Sequence, residues 1–280
     1  DRDTSCCAAD ATQTSAVTDQ LVAQGLPVPK NDAFNYKNNV DVDSNFDLKS
    51  DAANLKMDYE LASATLTSLT SWNDYDYKTS TDADRSELAV LAVVDDKYTG
   101  ELWTQELRLT SDLDGPWQYM LGGFYAYEKL TRGGTGEGVV NIGDDIIAVG
   151  GAETGSGPGF GFLVPPGDTV FIDNKWKTES YAIFGQTTYN FSERWATALG
   201  LRYTNEDKQA DLFGNPVSTA AAAAAGAALV QIAFAPVDES LHRNSDGFTW
   251  LANLTFFMTD EIMMFTSVST GSKSGGFNGV

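Results

Sequence analysis

The sequence is poor in the residues on which most catalytic and metal sites depend. Among 280 residues it has two cysteines and a single histidine, His242. Two thiols and one imidazole cannot make a zinc site unaided, and no serine–histidine or cysteine–histidine constellation surrounds His242. The glycine-rich run 155–161 lacks the lysine of a phosphate loop and precedes no helical pattern. We therefore predict no catalytic residue, no metal and no cofactor.

Long apolar runs are also absent, since no stretch approaches the 18 residues of a transmembrane helix. A membrane barrel stays possible because apolar and polar residues alternate in its strands. The 26 glycines and 11% aromatic residues favour strands and turns over helices. Cys6 and Cys7 are adjacent, and a vicinal disulfide is strained. We interpret them as two loop cysteines, with an oxidised pair in an extracytoplasmic loop as the alternative.

Basic residues are scarce as well. The 18 Lys and Arg stand against 39 Asp and Glu, which gives a net charge of −21. Nucleic-acid binding is thereby excluded, because phosphate contacts need a basic face. The acids cluster between the predicted strands, which favours solvated loops over a cation-attracting mouth. These acids include Asp82, Asp84, Glu87, Asp95 and Asp96.

Long hairpins are the main feature that is present. The predicted strands pair 53–61 with 64–78, 101–113 with 116–130, 176–191 with 194–208, and 247–258 with 261–274. The turns within hairpins have about three residues, whereas the connections between hairpins, at 79–100, 131–175 and 209–246, are long. Strict alternation of short turns and long loops is typical of outer-membrane barrels, whose short turns are periplasmic. About eight strands are predicted, as an all-β antiparallel up-and-down meander forming part of a transmembrane β-barrel.

The residues alternate with period two along these strands. In the third hairpin, apolar side chains share one face, while amides and hydroxyls share the other; the apolar ones are Tyr181, Ile183, Tyr189 and Phe191, and the polar ones are Gln186, Thr188 and Asn190. Aromatic residues near the strand ends resemble the girdles at the two membrane interfaces. The core of a soluble β-sandwich would not accept so many charges and amides, whereas the polar interior of a barrel would.

Four polar residues of the predicted interior face are candidate ligand-facing or plug-facing positions: Glu106, Arg108, Gln186 and Arg202. Glu106 and Arg108 lie two residues apart on one strand. They either contact a ligand or plug, or form a ladder of salt bridges between neighbouring strands. We favour the ladder, because the interior faces of wide barrels are polar in any case.

The remaining segments are assigned to loops. Residues 1–52 are predicted as an extracellular loop region with a short helix within Ala8–Gln24, and residues 53–280 as the barrel segment. A helix is expected from Ala220 to Phe234 within an outside loop, and a glycine-rich loop over 133–167. The chain begins Asp-Arg-Asp without a signal peptide and stops directly after a strand-like run, so a fragment of a longer protein is expected.

Several short runs resemble strands of TonB-dependent outer-membrane receptors, in the same order. They are Glu101-Leu-Trp-Thr-Gln-Glu-Leu-Arg-Leu-Thr-Ser, Gly122-Gly-Phe-Tyr-Ala-Tyr-Glu, Phe184-Gly-Gln-Thr-Thr-Tyr, Ala198-Leu-Gly-Leu-Arg-Tyr-Thr-Asn-Glu and Gly271-Ser-Lys-Ser-Gly-Gly-Phe-Asn. The similarity covers about 55–278. The order of the motifs makes it more specific than any one of them.

This resemblance implies a piece of a wide barrel in the outer membrane of a Gram-negative bacterium. In the family, a plug domain fills the barrel and contacts TonB, and a small ligand binds outside between plug and loops. That ligand is a ferric siderophore, cobalamin or a glycan. This chain shows no plug and no TonB-contact segment, so both partners would act through another part of the protein. The alternatives are a passive porin-like or structural barrel and, in a different class, a soluble extracellular β-sandwich binding module.

Overall fold

A computed structural model describes residues 15–28, 40–82, 86–133, 140–145, 169–217 and 237–277. In these ranges the chain forms one helix and nine strands. They are α1 (Ser15–Gln24), β1 (Asn45–Glu60), β2 (Ala64–Asp82), β3 (Leu91–Ser111), β4 (Trp117–Gly133), β5 (Val140–Ile142), β6 (Thr169–Ser192), β7 (Trp195–Val217), β8 (Val237–Phe257) and β9 (Met263–Ser269). Cys6, Cys7 and the helix predicted from Ala220 to Phe234 lie outside the described residues.

All the strands belong to one antiparallel sheet. Their order is β1-β2-β3-β4-β6-β7-β8-β9, and the short β5 pairs with β3 and β6 off this path. Neighbours along the chain are thus mostly neighbours in space, which confirms the predicted meander. A β-sandwich needs two sheets packed face to face, and the described residues form only one sheet.

The short turns lie where the sequence predicts them, and hydroxyl groups hold two of them. The Arg194 amide donates to Ser192 Oγ at 3.3 Å. The amides of Glu261 and Ile262 donate to Thr259 Oγ1 at 3.2 and 3.1 Å. Serine and threonine favour turns because their hydroxyls can accept from amides two or three residues onward.

At the opposite end, most strands are longer than predicted. β1 begins at Asn45 instead of residue 53, β3 begins at Leu91 instead of 101, and β7 continues to Val217 instead of 208. Most of the predicted loop 79–100 is therefore strand, since β2 continues to Asp82 and β3 begins at Leu91. At this end the buried apolar side chains, such as Ile172, Ala210 and Leu212, lie on the lumenal face, so the outward apolar period of the belt stops while backbone pairing continues. In contrast, β9 is shorter than the predicted 261–274.

The register separates two faces of the sheet, because directly paired residues share a face. One row across the sheet contains Met57, Ser68, Leu107, Gly123, Ile183, Tyr203 and Phe248. The adjacent row contains Asp58, Thr67, Arg108, Gly122, Phe184, Arg202 and Thr249. We call the side of the first row the outer face and the side of the second row the lumenal face.

The outer face carries a continuous apolar belt that is exposed. Ile183 is 73% exposed, Phe248 74% and Leu201 65%. On β4 the belt extends from Trp117 to Tyr127. Ten residues cover about 33 Å along a strand, or about 25 Å of depth at a tilt near 40°. That depth equals the apolar band of outer-membrane barrels, so the belt faces lipid.

A small apolar cluster forms beyond the far ends of the strands. Leu21 of α1 is fully buried against Leu88 and Val90. Asp145 connects the same two segments, since its carboxylate accepts from Gln24 Nε2 at 2.5 Å and from the Ala89 amide at 3.0 Å. Helix α1 (Ser15–Gln24) lies within the predicted Ala8–Gln24, and residues 8–14 lie outside the described part.

Candidate functional site

All four predicted site residues lie on the lumenal face. Arg108 and Arg202 are in one row, separated by Gly122 and Phe184. Three strand spacings of about 4.8 Å put their backbones about 14 Å apart. Glu106 and Gln186 lie in the rows on either side of this one. The structure therefore places the four on one surface without joining them into a single cluster.

Glu106 and Arg108 form an ion pair within β3, and not the ladder between strands that the sequence favoured. Arg108 Nη1 lies 3.6 Å from Glu106 Oε1. On β1, two strands away, Lys56 Nζ and Asp58 Oδ2 pair in the same way at 2.7 Å. Thr67 of the intervening strand β2 donates to Asp58 Oδ1 at 2.7 Å, and neither salt bridge crosses between strands. A partly exposed pair such as Glu106–Arg108 contributes about 0.2–1 kcal/mol.

Arg202 is held by aromatic rings. Its guanidinium carbon lies 5.5 Å from the ring centroids of both Phe124 and Phe184. Its Nε donates to Thr204 Oγ1 at 3.0 Å. The Phe184 ring in turn covers Gly122, where an added Cβ would lie 2.4 Å from Phe184 Cζ. We call Gly122, Phe124, Phe184 and Arg202 the arginine–phenylalanine cluster.

A second group on the lumenal face was not predicted from the sequence. We call Phe46, Tyr75, Tyr77, Asp96, Tyr98 and Arg132 the tyrosine cluster. The rings of Tyr77 and Tyr98 are stacked with centroids 4.5 Å apart and an interplanar angle of 8°. The ring centroid of Phe46 lies 5.5 Å from that of Tyr77, and the ring centroid of Tyr75, on the same strand as Tyr77, lies 6.5 Å from it. Tyr75 also covers Gly100, which has no side chain to block the ring.

Arg132 and Asp96 anchor one side of the tyrosine cluster. Arg132 Nε donates to both oxygens of Asp96 at 3.2 and 3.3 Å, and its terminal nitrogen donates to Oδ2 at 3.1 Å. The Asp96 side chain is 5% exposed and that of Arg132 is 20% exposed. The guanidinium also lies 5.5 Å from the Tyr98 ring centroid. Hydrogen bonds between charged groups, partly shielded from water, fix the orientation of Arg132.

Tyr98 lies outside the membrane-spanning segments, five residues beyond Trp103 at the upper edge of the apolar belt. Burial raises the pKa of Tyr98 to about 12, and the negative charge of Asp96 adds to the shift. The phenol therefore stays protonated at neutral pH, and its hydrogen bond with Asp96 contributes to the same shift. Stacked rings and a fixed guanidinium can together contact a planar, electron-rich ligand.

One signal in the sequence could have indicated the tyrosine cluster. Tyr75 and Tyr77 are spaced by two residues, as they must be to share a face. However, Asp96 and Tyr98 fall in the predicted loop 79–100, where no face could be assigned. The cluster depends on the extension of β3 back to Leu91.

The architecture matches a known family. A sequence model of the family described as TonB dependent receptor-like, beta-barrel matches residues 9–280. The chain belongs to this family. The match includes α1 and all nine strands of the described part. No curated protein matches the chain.

Solved structures of receptors have a similar fold. The ferric yersiniabactin uptake receptor FyuA from Yersinia pestis gives a TM-score of 0.58 at 14% identity, over 81% of this chain and 28% of FyuA. The ferric-catecholate import receptor Fiu from E. coli K12, in its open form, gives a TM-score of 0.56 at 14% identity, over 91% of this chain and 39% of Fiu. The siderophore receptor PiuA from Acinetobacter baumannii gives a TM-score of 0.51 at 17% identity, over 79% of this chain and 32% of PiuA.

At these identities the likeness shows the fold alone, and the chain spans about a third of the length of each receptor. Family membership and the apolar belt place the strands of this TonB-dependent receptor barrel in the outer membrane of a Gram-negative bacterium. The family and these neighbours are receptors, not enzymes. No helix in the described ranges is long and apolar enough to cross a membrane. Nor do the described residues include a cluster of three His, Cys, Asp or Glu placed to hold a metal ion.

Proposed function

We propose that this chain is part of the barrel wall of a TonB-dependent receptor that imports a scarce nutrient, with a ferric siderophore as its ligand. The ligand is captured at the extracellular end of the barrel. A plug domain closes the barrel, and TonB transmits energy from the inner membrane to move it. Plug and TonB contacts belong to other parts of the protein.

The tyrosine cluster carries this proposal. It faces the lumen on the extracellular side of the apolar belt, where an arriving ligand first meets the wall. Tyr77 and Tyr98 present half-buried stacked rings beside Arg132. Aromatic rings and a guanidinium suit a ligand that is planar and anionic, as iron chelates with aromatic or carboxylate groups are.

Asn174 supports the same location. It is fully buried and follows Arg132 in the same row. Its Oδ1 accepts from the Phe213 amide at 3.0 Å, whereas its Nδ2 has no partner among the described residues. A buried donor normally has a partner, but Asn174 is 0% exposed, so a ligand oxygen would meet its Nδ2 only after neighbouring side chains moved.

The deeper lumenal residues have a different proposed role. Glu106, Arg108, Gln186 and Arg202 lie at the depth of the apolar belt. We assign them to contacts with the plug, because a plug occupies the lumen at that depth. Their charges and amides suit a polar, hydrated interface.

A binding measurement tests the proposed ligand. The full-length receptor is titrated with a panel of ferric siderophores, cobalamin and oligosaccharides, with tryptophan fluorescence as the readout. The double variant Tyr77→Ala, Tyr98→Ala is expected to weaken binding of the preferred siderophore by roughly tenfold or more, since each aromatic pair contributes about 0.5–1.5 kcal/mol. The matched control is Tyr203→Ala on the outer face. A preference for cobalamin or sugars, or equal affinity in the two variants, contradicts the siderophore assignment.

Uptake in a strain without TonB separates the receptor from a passive porin-like barrel. An energy-coupled receptor loses uptake when TonB is deleted, whereas a passive channel does not. Radiolabelled iron accumulation from the preferred siderophore gives the measurement. Unchanged accumulation without TonB would establish the passive alternative.

A further inference from the structure

The backbone is unusual on both sides of the Asp96–Arg132 ion pair. Asp95 has a φ of 55°, the only positive value at a residue other than glycine in the described part of the chain. Gly133 has a φ of 87°. Asp95 directly precedes Asp96 on β3, and Gly133 directly follows Arg132 on β4. Two residues in the left-handed region therefore flank the ion pair that anchors the tyrosine cluster.

Asp95 lies in a β-bulge, since Ser80 of β2 alone lies opposite both Val94 and Asp95 of β3. A β-bulge adds one residue to one strand and changes the direction of the side chains that follow. The Asp95 amide donates to the buried Ser80 hydroxyl at 3.0 Å. The Asp95 carboxylate pairs with Lys78 of the outer face at 3.0 Å. Asp95 therefore influences the lumenal face through its backbone and not through its side chain.

The bulge determines which residues of β3 face the lumen. In a regular strand, residues three apart face opposite sides, but here Val93 and Asp96 share the lumenal face. Val93 packs against Val170 and Ile172 of that face. The lumenal apolar cluster above the bulge and the outward apolar belt below it thus have opposite phases along β3, and the bulge joins them.

Without the bulge, other residues would occupy the tyrosine cluster. If the register above it were kept and the extra residue removed, Lys97 would lie opposite Tyr77, where Tyr98 lies now. Asp96 would also leave the lumenal face. The stacked ring and the carboxylate that holds Arg132 would then both face outward, so the cluster depends on this one inserted residue.

Gly133 fixes the other half of the ion pair. A Cβ added at Gly133 would overlap the carbonyl oxygen of Ile172, so only glycine allows β4 to approach β6 this closely. Strand β4 ends at Gly133, directly after Arg132. The strand end therefore holds Arg132 in place, as the bulge holds Asp96.

We propose that Asp95 is a positioning residue for the ligand site at the tyrosine cluster. Its left-handed backbone keeps the bulge open, and the bulge directs Asp96 and Tyr98 into the lumen, where Asp96 holds Arg132 beside the Tyr98 ring. Aspartate is one of the few residues besides glycine that adopt this conformation readily, whereas a β-branched residue does not. The inference rests on the proposed function of the tyrosine cluster as the ligand site.

Substitutions at Asp95 separate the backbone from the side chain. Asp95→Val disfavours the left-handed conformation, whereas Asp95→Gly and Asp95→Asn permit it and remove only the charge. The matched control, Asp74→Val, makes the same exchange at a regularly paired position on the outer face of β2. Each variant is made in the full-length receptor, and its folding is verified by heat-modifiable mobility.

A tyrosine titration reports the environment of Tyr98 without any ligand. The difference in tyrosinate absorbance between each protein and its Tyr98→Phe derivative isolates this phenol, whose pKa burial and the charge of Asp96 raise to about 12. In Asp95→Val the pKa is expected to fall toward the ordinary value of 10.0, and in the other three variants to stay near 12. An unchanged titration in Asp95→Val, or an equal fall in Asp95→Gly, would overturn the inference.

Binding then tests whether the positioned cluster holds a ligand. The probes are the ferric complexes of a catecholate, a hydroxamate and a carboxylate siderophore, with tryptophan fluorescence as the readout. Asp95→Val is expected to bind the tightest of these roughly tenfold more weakly, and the other variants within about twofold of wild type. A fall in the Tyr98 pKa with unchanged affinity would support the positioning and contradict the proposed ligand site. If wild type binds none of the probes, the proposed function fails, and the titration alone decides the positioning.

Discussion

The two faces of β7 differ in chemistry although they share every backbone bond. Leu199, Leu201 and Tyr203 point outward, where Leu201 is 65% exposed. Arg202, between them in sequence, points into the lumen and lies between two phenylalanine rings. In a soluble sheet this alternation separates core from water. Here it separates lipid from a polar interior, so apolar residues are on the outer face and charges on the lumenal face.

The largest expected effect on the free energy of unfolding comes from placing a charged residue on the outer face or an apolar residue on the lumenal face of β7. Leu201→Arg puts a charge into the hydrocarbon layer and is expected to destabilise the folded barrel by about 2–4 kcal/mol. The reverse substitution, Arg202→Leu, loses two ring contacts and is expected to lower the free energy of unfolding by about 1 kcal/mol. Urea unfolding of the full-length protein in lipid bilayers measures both. A larger cost for Arg202→Leu than for Leu201→Arg would reverse the assignment of the faces.

Substitutions at two adjacent glycines of β4 test how much room each face has for an added side chain. Gly122→Val forces the new side chain into the Phe184 ring and is expected to cost about 1–3 kcal/mol. Gly123→Ala enters open space on the outer face and is expected to be neutral or slightly stabilising, because glycine weakens strands. The same unfolding assay applies. Similar costs at both positions would show that Phe184 does not cover Gly122.

The tyrosine cluster gives a pH-dependent effect. The pKa of Tyr98, about 12 in the folded chain, is above the ordinary value of 10.0. The unfolded state therefore loses its proton first, so the stability due to this shift is complete below pH 10 and is lost between pH 10 and 12. Tyr98→Phe is expected to lose less stability than wild type across this window. Parallel pH curves for the two proteins would contradict the raised pKa.

The smallest expected effect is that of the Glu106–Arg108 ion pair. A double-mutant cycle with Glu106→Gln and Arg108→Gln is expected to give a coupling of at most about 1 kcal/mol, since both side chains are partly exposed. The Asp96→Asn, Arg132→Gln cycle is expected to give a larger coupling, because Asp96 is nearly buried. Unfolding in urea supplies both values. Stronger coupling at Glu106–Arg108 would mean that the lumen there excludes water.

The sequence predicted the faces well because period two is visible wherever one side contacts lipid. Tyr181, Ile183, Gln186 and Arg202 are all on the predicted faces. The strand extensions were missed because, above the belt, the outer face no longer contacts lipid and the buried apolar residues, such as Ile172 and Leu212, lie on the lumenal face instead. The tyrosine cluster was missed with them, since it needs the register that brings Tyr98 between Tyr77 and Arg132.

The environment of Arg202 could not be read from the sequence for a similar reason. Its two rings come from Phe124 and Phe184, and only the pairing of β4, β6 and β7 brings them together. That the four predicted residues contact a ligand or plug remains a prediction. The structure shows that the four residues share the lumenal face and that they do not form one cluster.

Alternate residues of β7 face lipid and lumen, and cysteine labelling tests this most directly. In the full-length receptor, with Cys6 and Cys7 replaced by serine, single cysteines are placed at each position from 197 to 204. A water-soluble maleimide is then applied to the protein in outer membranes. We expect labelling at 198, 200, 202 and 204 and protection at 197, 199, 201 and 203. Labelling without a period of two, or in the opposite phase, would contradict the account.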